Sequence, residues 1–351
     1  MLYIYWNSKS LMLNIQGIAS MKRARKATML NTSEYESMTW FLHMIKDWIG
    51  FDCLEDFVNS VLQPLLLLLV LFLLIYYVPS GIVLIFYAFT FYLYIWKKKY
   101  NIKGDAYNEL WNKPRKSITY LLNLYGKIWH GYEIIGMENL PQGPGLIIYY
   151  HGAVVVDYAL FIAKTYEKTG RIIQSVIHCI FYLLPGIKPC LDIVGCIEGK
   201  KAFCVDILKR GYLLGIAPGG LREQNFSDEN YSLEWSTRTG FAEVALKSKV
   251  PIIPMFTQNL REAYRTVGNT RLSKWLYEHF RYLVLPIYGG FPVKLRTYIG
   301  EPIPYDPNLT AKELAEKTKI AIENLRDRHQ KLPGNILRGL LERFDKNKKD
   351  A

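Results

Sequence analysis

From Val61 to Trp96 the chain carries no charged side chain. The run is dominated by leucine, pauses at Pro79-Ser80-Gly81, and resumes from Ile82 to Trp96. Each arm has roughly 15–18 residues, which a helix would stretch over about 22–27 Å. That is at or just below the thickness of the apolar layer of a bilayer. Such a segment restricts the whole chain: it must sit in lipid or inside a large core. A buried helical pair in a water-soluble core is the alternative, and the length without a charge argues against it. Pro-Ser-Gly is a turn signal. The expectation is therefore a membrane hairpin of two apolar helices over 61–98, crossing or dipping into the bilayer; one kinked helix is the second reading. Tyr and Trp near the ends, followed at once by Lys97-Lys98-Lys99, fit an interface belt and a cytosolic exit.

The flanking sequence extends this picture. Residues 1–35 show no signal-peptide pattern and are expected to be disordered. Residues 36–60 mix aromatic and acidic positions, as in Trp40-Phe41-Leu42 and Asp47-Trp48-Ile49, and predict an interfacial helix. The net charge of +13 suits an anionic membrane surface or nucleic acid. The basic residues are dispersed, and no helix-turn-helix, zinc or RNA-binding motif accompanies them, so no nucleic-acid partner is expected. A hairpin returns the chain to the side it left, which places the remainder toward the cytosol. Residues 331–351 read as a basic tail, and its Lys348-Lys349 resembles the dilysine retrieval signal of endoplasmic-reticulum membrane proteins. Cys53, Cys179, Cys190, Cys196 and Cys204 are odd in number and irregular in spacing, as expected for reduced thiols rather than a disulfide framework or a metal site. A catalytic thiol at Cys196 or Cys204 would need an activating base, and none is evident.

From about residue 115 to 330 strands alternate with helices. Tyr132–Ile135, Leu146–Tyr150, Ile193–Cys196, Leu213–Ala217, Pro251–Phe256 and Leu295–Ile299 read as strands. Val154–Tyr166, Lys200–Arg210 and Phe241–Lys247 read as helices. Thr310-x-x-Glu313 is a capping box that opens a helix to about His329. This is the α/β rhythm of a sheet flanked by helices.

Two segments could carry chemistry. His151 follows a strand, and Gly152 permits a sharp turn before the next helix. A histidine there can act as a general base, with Asp157 as the nearest acid to orient it. The competing reading is that His151 caps the helix and Asp157 is solvated. Further on, Pro218-Gly219-Gly220 ends a strand, so its backbone can approach a ligand and offer N–H groups to an anion. Arg222 adds a cation beside it and Glu223 a carboxylate.

In this order the blocks His151–Asp157, Gly195–Gly199, Ala217–Glu223 and Val250–Phe256 resemble the glycerolipid acyltransferase superfamily, over roughly residues 115–305. The words Tyr150-His151-Gly152-Ala153, Pro218-Gly219-Gly220-x-Arg222-Glu223 and Val250–Phe256 continuing to Asn259-x-Arg261-Glu262 carry the likeness. The resemblance implies an acyltransferase-type mixed sheet flanked by helices behind the hairpin, and transfer of a fatty acyl group from acyl-CoA or a lipid donor to a glyceride hydroxyl. His151 and Asp157 would be catalytic; Pro218, Gly219, Gly220, Arg222 and Glu223 would bind substrate. No cofactor or metal is implied, acyl-CoA being the co-substrate and membrane lipids the partners. Two departures shape the expectation. The superfamily usually has four residues between histidine and aspartate, and here there are five, an extra rotation of about 100° on a helix. His151 must then sit in the turn, or its pairing with Asp157 is indirect. The third block carries Pro-Gly-Gly where enzymes of phosphorylated acceptors have an acid first. That resembles the diacylglycerol-acyltransferase-like branch, which makes triacylglycerol. A lysophospholipid or glycerol-phosphate acyltransferase, and a lipid-binding hairpin protein without catalysis, are the alternatives.

Overall fold

The computed structural model describes residues 39–45, 61–102, 108–183, 185–266, 268, 270–280 and 287–344, with the side chains of 71–83, 86, 180 and 183 left aside. The expected disordered segment 1–35, Cys53, most of the expected interfacial helix and Lys348-Lys349 lie outside the described residues. Within 39–45 the chain is helical, with Trp40, Phe41, Leu42 and Met44 exposed. By its internal contacts the chain divides into Met1–Leu74 and Ile75–Ala351.

The apolar segment differs from the expected hairpin. It forms one helix, α1, Gln63–Lys99, whose backbone continues through Pro79-Ser80-Gly81. Proline removes only one intrahelical N–H donor, and the leucine-rich sequence on either side favours helix. Leu65 to Leu69 are exposed. Toward the other end Phe89 and Leu93 are buried against Ile102, Trp111, Cys190 and Ile193. Among the described residues no helix is long and apolar enough to cross a membrane.

The unit from Ile75 onward is organised by a seven-stranded sheet. Its elements are α2 (Asn112–Tyr125), β1 (Glu133–Ile135), β2 (Gly145–Tyr149), α3 (Val156–Thr169), β3 (Ile173–Ile177), α4 (Lys188–Ile193), β4 (Cys196–Glu198), α5 (Lys201–Lys209), β5 (Leu213–Ile216), α6 (Gly220–Phe226), α7 (Gly240–Ser248), β6 (Ile252–Gln258), α8 (Leu260–Ala263), β7 (Tyr264–Thr266), α9 (Arg271–Phe280), β8 (Ile287–Gly289), β9 (Arg296–Ile299), α10 (Ala311–His329) and α11 (Ile336–Phe344). The spatial order is β1-β9-β6-β2-β5-β3-β4. Strands β6, β2, β5, β3 and β4 are parallel, and β9 runs antiparallel to β6. Strands β7 and β8 form a separate ribbon.

The unbroken apolar run of β2 is the mark of a strand covered on both faces, and all five of its residues are buried. Successive side chains serve two different cores, as a period of two requires. Leu146, Ile148 and Tyr150 join Ile252 and Phe256 of β6 against α5, α7 and α10. Ile147 and Tyr149 join Ile253 and Met255 on the other face, under Tyr158 and Phe161 of α3. The sheet is thus a mixed one flanked by helices. The capping box at Thr310 is formed in both directions, and the helix it opens, α10, ends at His329 as expected.

Three elements differ from expectation. Ile193 ends α4 rather than opening a strand, and β4 starts only at Cys196. Gly195 between them has φ +84°, and a Cβ there would lie 2.9 Å from the Ile173 carbonyl oxygen, so the chain turns sharply where a strand was expected. The turn at Pro218-Gly219-Gly220 leads straight into α6. Residues 336–344 of the expected tail form α11, whose Leu340 packs on Ala263, Tyr264, Val293 and Leu295.

Candidate active site

His151 sits one residue past Tyr150, just beyond the carboxyl end of β2, and Pro218 lies just beyond the end of the neighbouring strand β5. Both therefore occupy the edge of a parallel sheet where ligands bind in open α/β folds. A cavity of about 430 Å³ opens at this edge, lined by Val176, Gly199, Ile216, Pro218 and the cations Lys201 and Arg238.

The His151 backbone is held at both ends. Its N–H donates to Glu223 Oε2 at 2.8 Å. Its carbonyl accepts from Arg261 Nη2 at 3.2 Å. Gly152 makes this possible: a Cβ there would lie 2.5 Å from the Leu260 side chain. The imidazole is half-buried. Its Nδ1 lies 2.8 Å from the Gly152 carbonyl. A carbonyl only accepts, so Nδ1 carries the proton and the lone pair of Nε2 is free of any partner among the described residues. Burial, with the Arg261 guanidinium nearby, pushes the His151 pKa down to about 4. The ring is a neutral base well into the acid range.

Asp157 lies in the first turn of α3 and is 2% exposed. Burial pushes its carboxyl up to about 6, against a hydrogen bond from Thr257. Its Oδ1 has no hydrogen-bond partner among the described residues. The expected bond from Asp157 to His151 is not made: Nδ1 is already taken by Gly152. The cause is the spacing. His151 stands in the turn before α3 rather than on it, and its nearest acceptor is the neighbouring carbonyl.

Glu223, expected to bind substrate, is fully buried in α6. Its Oε1 accepts the Glu234 N–H at 3.1 Å while Oε2 accepts that of His151. Burial pushes its carboxyl up to about 7. It positions His151. Gly219 is the clearance for it, since a Cβ there would lie 2.3 Å from Glu223 Cβ. Gly220, at φ +50°, donates its N–H to the Ala217 carbonyl at 3.2 Å, so that donor is not free for an anion. Arg222 points away, to Glu234 at 3.4 Å.

Two arginines were missed in the sequence. Arg238 Nη1 donates to the carbonyls of Pro218 and Gly219 at 2.9 and 3.0 Å, clamping the turn. Arg261, 1% exposed, donates to Tyr150 Oη at 2.7 Å and to the carbonyls of Gln224, Glu223 and His151. It ties the end of β2 to α6. Its one signal was the adjacent Arg261-Glu262 pair immediately after an apolar strand. Cys196 and Cys204 are pushed up to about 12 and about 11 by burial, which removes thiolate character from both. Among the described residues no group of three or more His, Cys, Asp or Glu could hold a metal ion.

A neutral imidazole with a free Nε2, at the ligand edge of a parallel sheet beside a clamped Pro-Gly-Gly turn, is the equipment of a hydroxyl-activating transferase. The family model described as Acyltransferase matches residues 131–258. The "DGAT1/2-independent enzyme synthesizing storage lipids" of Bos taurus is 48% identical over 89% of this chain and 93% of its own length. The protein of that name from Homo sapiens is 48% identical over 88% of this chain and 94% of its own. That from Gallus gallus is 42% identical over 89% and 95%. The solved 1-acyl-sn-glycerophosphate acyltransferase of Thermotoga maritima aligns at a TM-score of 0.48 and 15% identity, over 74% of this chain and 96% of that one. The chain belongs to the glycerolipid acyltransferase family. It is an enzyme of acyl transfer, and the reading of a non-catalytic hairpin protein is set aside.

The titration of His151 gives a first expected result. The imidazole is the active base above its pKa, so the acid limb of kcat/KM should fall toward pH 4 rather than near 6.5. Initial rates of the purified enzyme in mixed micelles between pH 4 and 8 measure it. An inflection at 6.5 would mean that the working ring is in ordinary solvent.

Proposed function

We propose that this enzyme acylates the free hydroxyl of a neutral glyceride, converting diacylglycerol to triacylglycerol, with acyl-CoA as donor. The observation that carries the reading is the His151 ring, with Nδ1–H fixed on Gly152 and Nε2 free. Nε2 takes the acceptor hydroxyl proton as the oxygen attacks the thioester carbonyl. The C–O bond forms, the C–S bond breaks, and the thiolate leaves with the proton returned by the imidazolium. Asp157, buried at the start of the next helix, is the carboxylate proposed to orient His151 when substrate is bound, since the free enzyme shows no bond between them.

A neutral acceptor is supported by the state of the cations around His151. Arg261 is committed to four acceptors of the protein and Arg222 to Glu234. It is also supported by the relatives of Bos taurus and Homo sapiens, which are named as enzymes synthesizing storage lipids. A phosphorylated acceptor is the second reading, because Lys201 and Arg238 line the cavity beside Pro218. Those cations are committed as well, Lys201 to Glu243 at 2.8 Å on the same cavity wall and Arg238 to the carbonyls of Pro218 and Gly219, so the cavity does not by itself favour a phosphorylated acceptor. The exposed leucines of α1 and the Lys97–Lys99 run at its end support membrane attachment. The proposal places the enzyme in the endoplasmic-reticulum membrane with the catalytic unit and the C-terminus toward the cytosol.

The test supplies purified enzyme with diacylglycerol, lysophosphatidic acid or glycerol 3-phosphate, with and without acyl-CoA, and weighs the products by mass spectrometry. Acyl-CoA-dependent triacylglycerol is expected. Phosphatidic acid or lysophosphatidic acid without triacylglycerol would move the enzyme to the phosphate branch.

A further inference from the structure

Helix α11 presents an apolar stripe to the outside. Leu337, Leu341 and Phe344 are 66%, 64% and 78% exposed. At about 100° per residue these three positions fall within roughly 60° of one another on the helix. Gly339 and Glu342 fall on the opposite side and face the protein. A Cβ at Gly339 would lie 3.2 Å from Glu262 Cβ and from Val293 Cγ1. Asn335 N–H donates to Glu262 Oε1 at 3.0 Å, and Glu342 Oε2 accepts from Asn259 Nδ2 at 2.9 Å. The stripe is therefore fixed outward by the inward contacts of the same helix.

Its charge is one-sided. Glu342, the only acid of the helix, is turned inward. Arg338 and Arg343 fall on either flank of the stripe. Arg338 Nη2 is anchored on the carbonyls of Lys331 and Pro333, and Arg343 Nη2 on that of Ile128 at 2.7 Å. The last bond joins α11 to a second exposed apolar row at and beyond the end of α2, made of Leu124, Ile128 and Trp129, with Lys127 among them. Two such exposed apolar rows, tied to each other through Arg343, are uncommon on a surface that meets only water. Apolar residues outward, with cations at their flanks and no carboxylate among them in the described residues, match a bilayer surface bearing anionic headgroups.

We propose that α11, with the adjoining row from Leu124 to Trp129, is a second lipid-contact surface of this enzyme, independent of α1, that lies on an anionic bilayer. The apolar stripe enters the boundary between headgroups and acyl chains, and the guanidiniums meet phosphates. Two attachments would fix the orientation of the catalytic unit on the membrane, where one leaves it free to swing.

The test places the photoreactive residue p-benzoylphenylalanine at position 341 or 344 of the full chain. Both positions are exposed, so folding is undisturbed; position 317, on the exposed side of α10, is the negative control and position 67 reports on α1 separately. Protein in phosphatidylcholine vesicles, with or without phosphatidylserine, is floated, irradiated and examined for phospholipid adducts by mass spectrometry. Lipid adducts are expected at 341 and 344 and not at 317, with yield at least about fivefold higher when phosphatidylserine is present. Absence of adducts at both positions overturns the proposal, whatever position 67 gives. So does a chain-to-chain adduct in their place, which would make this face an interface between two copies, and so does a yield indifferent to phosphatidylserine.

Discussion

His151→Ala will lower acyl transfer by about three orders of magnitude and leave the fold intact. The catalytic part follows from Nε2, the free basic atom that the geometry delivers at the ligand edge of the sheet. A positioned general base contributes about 10²–10⁴-fold. The structural part follows from where His151 is held. Its N–H and C=O carry the bonds to Glu223 and Arg261, and alanine keeps both. Among the described residues the ring itself bonds only to its neighbour Gly152, and it is half-buried, so its loss should cost no more than about 1 kcal/mol. The measurements are product formation by mass spectrometry and the urea midpoint of the purified variant. A variant with full activity sinks the assignment of His151 as base. A variant that is inactive but also unfolded leaves the question to His151→Gln, which keeps volume and polarity but accepts no proton at neutral pH. Asp157→Asn isolates the other carboxylate. In the free enzyme it makes no bond to the ring, so an equal loss on Asn substitution would show that the two groups meet only when substrate is bound.

The strands were legible because two-sided burial writes a continuous apolar run, as in Leu146–Tyr149 and Ile252–Phe256. The α10 start was legible because a capping box is local, Thr310 and Glu313 being one turn apart. His151 was legible by its place between a strand and a glycine. What failed were features that depend on distant partners. Nothing near Gly195 in sequence shows that the Ile173 carbonyl crowds it. Glu223 read as a substrate-binding carboxylate beside Arg222; only the return of His151 from 72 positions earlier makes it a buried acceptor. The pause at Pro79-Ser80-Gly81 carried a turn signal, yet a local signal of that strength competes with the helix preference of both flanks. The outward stripe of α11 was hidden for a related reason. Leu337, Leu341 and Phe344 have helical spacing, but spacing alone does not say which face meets the protein.

Arg261→Met is the substitution expected to cost the most stability, about 4 kcal/mol. The guanidinium makes four side-chain hydrogen bonds, to Tyr150 Oη and to the carbonyls of Gln224, His151 and Glu223. Methionine fills the space and leaves these acceptors buried without a donor. Each such group costs about 1–3 kcal/mol. Part of that is offset, because the native state no longer buries a cation that has no carboxylate bonded to it among the described residues. The remaining loss is large against the total stability of an ordinary domain, about 5–15 kcal/mol. Arg261→Lys should recover only part: an ammonium brings three donors from one point, whereas the acceptors are spread around a planar fork. Function should fall with stability but not in proportion. Arg261 holds the His151 carbonyl and the Glu223 carbonyl together, so the lysine variant, still folded, should show a lower kcat with the catalytic ring less well placed. In the methionine variant the charge that draws the Glu223 carboxyl down is also gone, so its pKa rises further and it stays protonated over more of the neutral range. Urea midpoints at pH 7 for the wild type and both variants measure the first effect, and kcat of the lysine variant measures the second. A methionine variant within about 1 kcal/mol of wild type would mean that the buried acceptors find water, and that Arg261 does not carry the junction between β2 and α6.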